Sequence, residues 1–349
     1  MRVENQNPRG EKMAKNIGRQ SVKFEKDIYI KCTCATVGTK EGEGPLGKYF
    51  DRVLEDNLNG AVSWEEAESS IIKENVEMLI KKADMKNSEI DYIVSGDLLN
   101  QCCASTYGLR ETEIPFLGVF GACSTMGEAM SVAGMIIESG AAENIIAGAS
   151  SHFCSAEKQF RFPLELGNQR PPTSTWTVTG AGAVVLTSSK EKGLPVIEGI
   201  TTGKIIDMGI TDANNMGAAM APAAVDLILN NFKDFGINED YYDLIITGDL
   251  GYVGKDITIK MLKEKGYDIS GKYTDCGIEI FDRDNQDTHS GGSGCACSAS
   301  VFSAYFYEKL KKGELKRVLF IPTGALMSPT SVQQGESIAG IAHGVMISL

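Results

Sequence analysis

Two hydrophobic patterns alternate along the chain: short apolar runs, and longer stretches with apolar residues at helical spacing. The short runs predict strands over residues 27–37, 91–95, 144–148, 180–187, 196–200, 244–247, 318–322 and 344–348. The longer stretches predict helices over residues 65–83, 123–139, 221–235 and 295–312. Apolar strands that alternate with helices are typical of parallel sheets covered by helices. Because the helices over 123–139 and 295–312 are apolar or small on nearly every side, we expect both to be sandwiched between two sheets.

One segment of this pattern occurs twice. Residues 91–98 read Asp-Tyr-Ile-Val-Ser-Gly-Asp-Leu, and residues 243–250 read Asp-Leu-Ile-Ile-Thr-Gly-Asp-Leu. A Gly-rich turn, a helix of small residues and an apolar strand follow each copy. An internal repeat constrains the whole fold, and 349 residues are enough for two similar halves. We predict a polar arm over 1–26, a first half over 27–190 and a second half over 191–349, with an insertion at 152–179 that the second half lacks.

The charge balance excludes some classes of function. The formal net charge is −12, and no stripe of Lys and Arg offsets it, which argues against binding to nucleic acid or to anionic lipid. No apolar run approaches the roughly 20 residues that a membrane-spanning helix needs. The arm lacks the apolar core of a signal peptide. We therefore expect any membrane contact to occur through a protein partner.

The nine cysteines do not form a metal-binding pattern. Their closest spacings, at 32 and 34, 102 and 103, and 295 and 297, differ from those of zinc sites, so we expect reduced thiols packed as small hydrophobic groups. Residues 282–293 resemble a calcium loop superficially, but Asp287 stands at its sixth place instead of glycine and Ser293 at its twelfth instead of glutamate. We expect no resident metal.

Cys123 is the candidate nucleophile. It lies in a tight turn after a strand and is predicted to begin a long helix, where the helix dipole lowers the pKa of a thiol. His289 is predicted to begin the matching helix of the second half, which would bring it near Cys123 as an activating base. The alternatives are an inert buried thiol and a histidine that caps a turn.

The insertion carries candidate ligand-binding residues. Arg161 and Arg170 flank prolines and aromatic residues, with Trp176 close behind, and His152 precedes them at the end of a strand. Arginine binds carboxylates in bidentate fashion and an aromatic ring stacks on a flat ligand, so the set predicts a site for a planar aromatic acid. For the arginines, the alternative is a rigid surface loop with solvated side chains. His152 faces either the same pocket or a subunit interface.

Several segments resemble the thiolase and ketoacyl synthase superfamily. They are the duplicated halves, the Gly-Ala-Cys-Ser-Thr turn at 121–125 and the closing Gly-Ile-Ala-His-Gly at 340–344. The resemblance implies an α/β, thiolase-like five-layered αβαβα fold with internal duplication, and a homodimer. It places Cys123 at the acyl-accepting nucleophile and His289 near the histidine of the thiolase Gly-His-Pro turn.

The chain departs from that superfamily where condensation chemistry requires specific groups. Gly248 or Asp249 stands where ketoacyl synthases carry a histidine, and Ile338 stands where thiolases carry a second cysteine. Gly291 and Gly292 lie near a helix start at which type III synthases have asparagine. A condensing enzyme needs a base and an oxyanion hole, so we do not expect condensation.

A more specific resemblance covers residues 15–349. The segments at 159–163, 176–183 and 289–295 are similar to the stage V sporulation AD family of endospore-forming bacteria. This resemblance implies a protein that binds dipicolinic acid (pyridine-2,6-dicarboxylate), without a cofactor, alone or as its calcium chelate. It implies loading of that acid into the developing spore with membrane proteins of the same operon, at the spore inner membrane. The predicted ligand-binding residues are those named above: Cys123, His152, Arg161, Arg170, Trp176 and His289. The alternatives are an acyltransferase or thioesterase that uses Cys123, and a purely structural subunit of a membrane complex.

Overall fold

The computed structural model describes residues 15–160 and 170–349. Arg161 and most of the predicted polar arm lie outside the described residues. The strands are β1 (Lys15–Asn16), β2 (Ser21–Val37), β3 (Arg52–Val53), β4 (Tyr92–Gly96), β5 (Phe116–Gly118), β6 (Asn144–Ser151), β7 (Trp176–Thr177), β8 (Gly180–Thr187), β9 (Val196–Thr202), β10 (Leu244–Thr247), β11 (Tyr273–Asp275), β12 (Gly292–Ser293), β13 (Arg317–Ile321), β14 (Thr323–Leu326) and β15 (Ala339–Ser348). The helices are α1 (Thr39–Gly42), α2 (Trp64–Lys82), α3 (Cys103–Leu109), α4 (Thr125–Ser139), α5 (Phe153–Phe160), α6 (Met216–Phe235), α7 (Gly251–Glu264), α8 (Cys276–Glu279), α9 (Cys295–Val301), α10 (Tyr307–Lys311) and α11 (Pro329–Gln333).

The two halves have the same sheet topology. The strand order is β5-β4-β6-β8-β2 in the first half and β11-β10-β13-β15-β9 in the second. In each half three neighbouring strands are parallel, and the next strand is antiparallel to its neighbours on both sides. β2 pairs with β8 on one side and with β9 on the other, so it joins the two halves. The repeat in the sequence is therefore a repeat in the fold, as predicted.

Two buried helices cross the middle of the molecule. One is α4, and the other is the run of α9, a π-helical turn at Phe302–Phe306 and α10. Small residues let sheet and helix approach closely: a Cβ on Gly182 of β8 would lie 2.2 Å from the main chain of Ala299 in α9. A Cβ on Gly127 of α4 would lie 2.7 Å from the carbonyl oxygen of His343 in β15, so α4 contacts the second half as well. This layering agrees with the predicted fold.

Helix boundaries correct two predictions about the candidate site. α4 begins at Thr125 with Ser124 as its N-cap, so Cys123 lies in the turn before the helix. α9 begins at Cys295, six residues after His289. The prediction that Cys123 and His289 begin matching helices is therefore wrong. Gly140, with φ +79°, ends α4 as a left-handed C-cap, as expected from its sequence position.

No helix within residues 15–160 or 170–349 is long and apolar enough to cross a membrane. All nine cysteines lie within these ranges as free thiols, and seven of them are buried, in line with the expectation of reduced, packed thiols. No cluster of His, Cys, Asp and Glu in this part of the chain has the geometry of a metal site.

Candidate functional site

A strained turn holds Cys123 in place. Ala122, the residue before it, has φ +50°, which a residue with a Cβ adopts rarely and at some cost. The Ser124 hydroxyl donates to the carbonyl of Gly121 at 2.6 Å and closes the turn. Gly324 of β14 packs directly on it, because a Cβ there would lie 2.2 Å from the Gly121 oxygen. The second half thus fixes the turn of the first half.

The residue from the second half that reaches Cys123 is Asp249. The Cys123 thiol interacts by hydrogen bonding with the Asp249 carboxyl group. The same carboxyl accepts a hydrogen bond from the Thr323 hydroxyl at 2.9 Å and one from the Gly294 N–H at 3.2 Å. Of the two residues aligned with the synthase histidine, the structure thus places Asp249, and not its neighbour Gly248, against Cys123.

Burial determines the protonation of this pair. Cys123 is 6% exposed, and burial together with the Asp249 carboxyl and the Cys295 thiol raises the pKa of Cys123 well above its ordinary value. Burial also raises the pKa of Asp249 to about 7. The prediction of a lowered thiol pKa is therefore wrong, because desolvation and a neighbouring acid act on a thiol that precedes the helix.

Cys295 completes this buried region. As the first residue of α9, it donates from its thiol to the carbonyl of Ala122 at 3.0 Å. Burial raises its pKa well above the ordinary value too. We call Cys123, Asp249 and Cys295 the buried thiol region. It contains two protonated thiols and one buried acid, which is not the composition of an activated nucleophile.

His152 has a structural role. Its Nε2 lies 2.8 Å from the carbonyl oxygen of Asn57, and its Nδ1 accepts the N–H of Cys154 at 3.1 Å. Nε2 is therefore the protonated nitrogen of a neutral ring, and burial lowers the His152 pKa. With both nitrogens engaged and the ring beside Trp64 at 5.4 Å, His152 braces the start of α5 and does not present a nitrogen to a ligand.

Trp176 is the centre of a second region, at the surface. Its ring stacks on Phe153 at 3.8 Å, with an interplanar angle of 8°. The Lys40 ammonium lies 4.1 Å from the centre of the same ring, and the Arg170 guanidinium lies 4.8 Å from it. Both distances are within the range of cation–π attraction. The structure therefore joins two predicted residues, Arg170 and Trp176, to a lysine that the sequence reasoning missed.

His289 also belongs to this surface region. Its Nε2 lies 3.5 Å from Oδ1 of Asp287. Arg170 donates through Nη2 to the main-chain oxygen of Asp287 at 2.7 Å. Asp287 and His289 have φ of +50° and +53°, so two non-glycine residues of one loop adopt the left-handed conformation. Such clusters of backbone strain are common at ligand-binding sites. We call Lys40, Phe153, Arg170, Trp176, Asp287 and His289 the Trp176 cluster.

One short segment connects the two regions. The Trp176 N–H donates to the carbonyl of Gly291 at 2.9 Å, and β7 pairs in parallel with β12. Three residues further on, Gly294 donates to Asp249. The predicted insertion is thereby hydrogen-bonded to the loop between the Trp176 cluster and the buried thiol region.

Three members of the Trp176 cluster, Lys40, Phe153 and Asp287, were not identified from the sequence. Lys40 lies in the short helix α1 after β2, in a polar stretch without a motif, and Asp287 was considered only as part of a calcium loop. In the structure Asp282 of that loop accepts hydrogen bonds from the N–H groups of Asp284 and Asn285, as in an ordinary polar turn. The proximity of an aromatic residue to the Arg-rich insertion was the available signal, and it identified Trp176 and Arg170.

Comparison with solved structures supports the fold. The chain resembles 3-oxoacyl-[acyl-carrier-protein] synthase III from Aquifex aeolicus, with a TM-score of 0.57 and 14% identity over 92% of this chain and 100% of that one. It also resembles cerulenin-bound OleA from Xanthomonas campestris, with a TM-score of 0.60 and 12% identity over 94% and 98% of the two chains. These likenesses confirm the thiolase-like fold that the sequence predicted, and at such low identity they show the fold alone.

Sequence comparison is more specific. The family model for stage V sporulation protein AD matches residues 18–348. The stage V sporulation protein AD of Bacillus subtilis (strain 168) is 45% identical over 329 residues, which cover 94% of this chain and 96% of the relative. Both matches support a role in sporulation. The chain belongs to the stage V sporulation protein AD family.

Proposed function

We propose that this protein binds dipicolinic acid, as the free dicarboxylate or as its calcium chelate, and helps its uptake into the developing spore. The observation that carries the proposal is the pair of cations, Lys40 and Arg170, held over the ring of Trp176. A lysine and an arginine side by side repel each other, and such a pair is expected where an anion with more than one charge binds.

The charge state of Lys40 supports an anion site. Partial burial, and then the nearby Arg170 charge, lower the pKa of Lys40. A bound carboxylate would place negative charge between the two cations and so reverse the lowering of the Lys40 pKa by Arg170. The net charge of −12 opposes a dianion at long range, but that repulsion is screened over about 8–10 Å in physiological salt, so these contacts dominate locally.

The aromatic part of the cluster suits a flat ligand. Phe153 supports the Trp176 ring from one side, which fixes its plane. Arg170 can meet a carboxylate with two parallel N–H groups, and the ammonium of Lys40 can meet a second one as a point charge. A pyridine ring with carboxylates on both sides of its nitrogen has the shape and charge that this arrangement recognises.

The buried thiol region supports a binding protein over an acyltransferase. Cys123 is protonated, and Asp249 stands where a histidine would accept the proton of a nucleophile. A thiolate next to an ionised carboxyl would be destabilised further. In this proposal Cys123 is part of the wall behind the ligand site.

Isothermal titration calorimetry with dipicolinate tests the proposal. We expect saturable binding by the unmodified protein and a loss of about 100-fold in affinity when Lys40 and Arg170 are both changed to alanine, since two charged contacts are removed. Arg283→Ala is a matched control, because Arg283 also lies over an aromatic ring, that of Tyr252 at 4.2 Å, outside the cluster. Absence of saturable heat with and without calcium, or an equal loss in the control, would contradict the proposal.

The homodimer and the membrane partners are part of the same proposal. β5 pairs on one side with β4 at the end of the strand order, so its other edge is available to a second copy. Its Leu117 is 40% exposed, and Phe116 and Phe120 beside it are exposed as well. A dimer through this edge would cover apolar side chains and pair the free strand. Sedimentation that compares the Leu117→Glu variant with the unmodified protein tests the dimer.

We propose that the protein acts at the spore inner membrane through membrane proteins of its operon.

A further inference from the structure

A cleft of about 450 Å³ lies at the end of the sheet away from the buried thiol region. Its walls come from β2, β9, β15 and the chain around the end of α6. Ser348, in one wall, pairs with Arg317 at the start of β13, whereas Asp249 follows the carboxyl end of β10, which runs parallel to β13. The cleft and the buried thiol region therefore lie at opposite ends of these strands, and the proposed function does not use the cleft.

Two interruptions of the strand ladders meet at Glu198 and open the cleft. In the ladder between β2 and β9, residues 24–27 of β2 stand opposite Glu198 alone. In the ladder between β9 and β15 the register shifts at the same residue. Bulges of this kind bend a strand and redirect its side chains, and they are common beside functional sites.

Glu138 of α4 holds the bulge of β2 in a fixed shape. Its Oε1 accepts the N–H of Glu25 at 3.1 Å, and its Oε2 accepts the N–H of Lys26 at 3.0 Å. The carboxylate is buried, so these two charge-assisted hydrogen bonds are strong. The opening in the sheet is thus preformed, which lowers the entropic cost of binding a ligand there.

The acidic group of the cleft is oriented by its neighbours. The Tyr241 hydroxyl donates to Oε2 of Glu198 at 2.8 Å, and the Arg317 guanidinium lies 4.8 Å from the centre of the Tyr241 ring. Burial and the Glu198 carboxylate raise the pKa of Tyr241, so its hydroxyl remains a donor at neutral pH. Within the described residues Oε1 of Glu198 accepts no hydrogen bond, and it is available to a ligand.

Lys23 adds a charge of the opposite sign to the same cleft. Its ammonium group forms no hydrogen bond or ion pair with any residue in the described part of the chain. Phe235, Ile237 and Met346 supply apolar surface. A ligand with charges of one sign only would be repelled by Glu198 or by Lys23. A zwitterion with an apolar body satisfies both groups and covers the apolar surface.

We propose that this cleft binds a short apolar peptide through its two charged termini. Glu198 binds the terminal ammonium, Lys23 binds the terminal carboxylate, and the side chains of the peptide cover Phe235, Ile237 and Met346. The volume of about 450 Å³ falls within the range of small-ligand sites, roughly 300–1,000 Å³, and suits a dipeptide. The site is separate from the Trp176 cluster.

Isothermal titration calorimetry with leucyl-leucine tests the proposal. The matched ligand is N-acetyl-leucyl-leucine amide, which has the same apolar body and neither charge. We expect saturable binding of leucyl-leucine and binding of the blocked peptide that is at least about 10-fold weaker, because the blocked peptide makes neither charge-assisted contact.

Two variants test the assigned residues separately. Glu198→Gln keeps an oxygen acceptor for Tyr241, and Lys23→Met keeps most of the apolar stem without the charge. We expect each to weaken binding of leucyl-leucine about 10-fold. Glu308→Gln and Lys233→Met are the matched controls, since they remove the same charges from residues that do not line the cleft, and they should change the affinity less than about 2-fold.

Absence of saturable heat with leucyl-leucine, or equal binding of the blocked peptide, would overturn the proposal. Equal losses in the cleft variants and in the controls would overturn it as well, because the effect would then follow the net charge of the protein. Titration of the same variants with dipicolinate keeps this proposal apart from the proposed function, since both cleft variants should bind dipicolinate as the unmodified protein does.

Discussion

The buried thiol region and the Trp176 cluster are connected through residues 291–294. They differ in whether their ionisable groups are neutral or charged. Around Cys123, burial raises the pKa of the thiol and of Asp249, so both groups favour their neutral forms. Around Trp176, two cations and one carboxylate remain charged at the surface. The comparison indicates that charge is tolerated at the surface cluster, where water shares the cost of the charges, and is disfavoured around Cys123.

The largest expected effect concerns the stability of the buried region. Asp249→Ala leaves the Thr323 hydroxyl and the Gly294 N–H without their acceptor in a buried site. We expect a loss of about 3–5 kcal/mol in the free energy of unfolding, measured by urea denaturation, because unsatisfied buried donors retain their full desolvation cost. Asp287→Asn at the surface is the control and should change stability by less than about 0.5 kcal/mol. Equal stability of the two variants would mean that the two regions do not differ as described.

The reactivity of Cys123 provides a second test of the contrast. Its thiol is buried and its pKa is raised, so we expect alkylation by iodoacetamide at pH 8 to be about 100-fold slower in the folded protein than in urea. Peptide mass spectrometry checks this, with the partly exposed Cys103 and Cys154 as internal references that should react first.

The same preparation tests the rival function. Incubation with an acyl-CoA should leave the intact mass unchanged. An acyl adduct that disappears in Cys123→Ala would favour the acyltransferase or thioesterase, and would show that Asp249 does not suppress the nucleophile.

Local sequence patterns predicted the framework well. Strands β8 and β10 lie at the predicted residues, and the repeat at 91–98 and 243–250 corresponds to equivalent strands in two halves of equal strand order. These features depend on hydrophobic periodicity within a few residues, which is visible in a single chain. β5 was missed, because its three residues are exposed and too few to form a pattern.

The chemistry of the candidate site depended on contacts between distant residues. Asp249 lies 126 positions after Cys123, and the pKa of each group is raised first by its own burial, with the Asp249 carboxyl adding to the effect on Cys123. The helix-dipole argument for Cys123 failed because the helix starts two residues later than the apolar pattern suggests. Lys40 reaches Trp176 from the other end of the first half, and no spacing rule links them. Arginine and tryptophan in one insertion were near enough in sequence to be found together.

The smallest of these effects is the pH dependence of stability, and its sign follows from Asp249. In the folded protein its pKa is raised to about 7 from an ordinary value of 3.8, so the folded state holds a proton that the unfolded state releases between those values. The contribution of this group to stability is therefore greatest below pH 3.8 and is lost as the pH rises to about 7. Asp249→Asn resembles the protonated acid at every pH, with one oxygen acceptor and one N–H donor. We expect the unfolding free energy of the unmodified protein, relative to that of Asp249→Asn, to fall by about 3 kcal/mol between pH 4 and pH 7. Urea titrations at a series of pH values measure this difference, and Asp287→Asn, which changes an exposed carboxylate, should show no such slope. A difference that rises with pH would mean that Asp249 is ionised in the folded protein, and Cys123 would then lie beside a permanent negative charge.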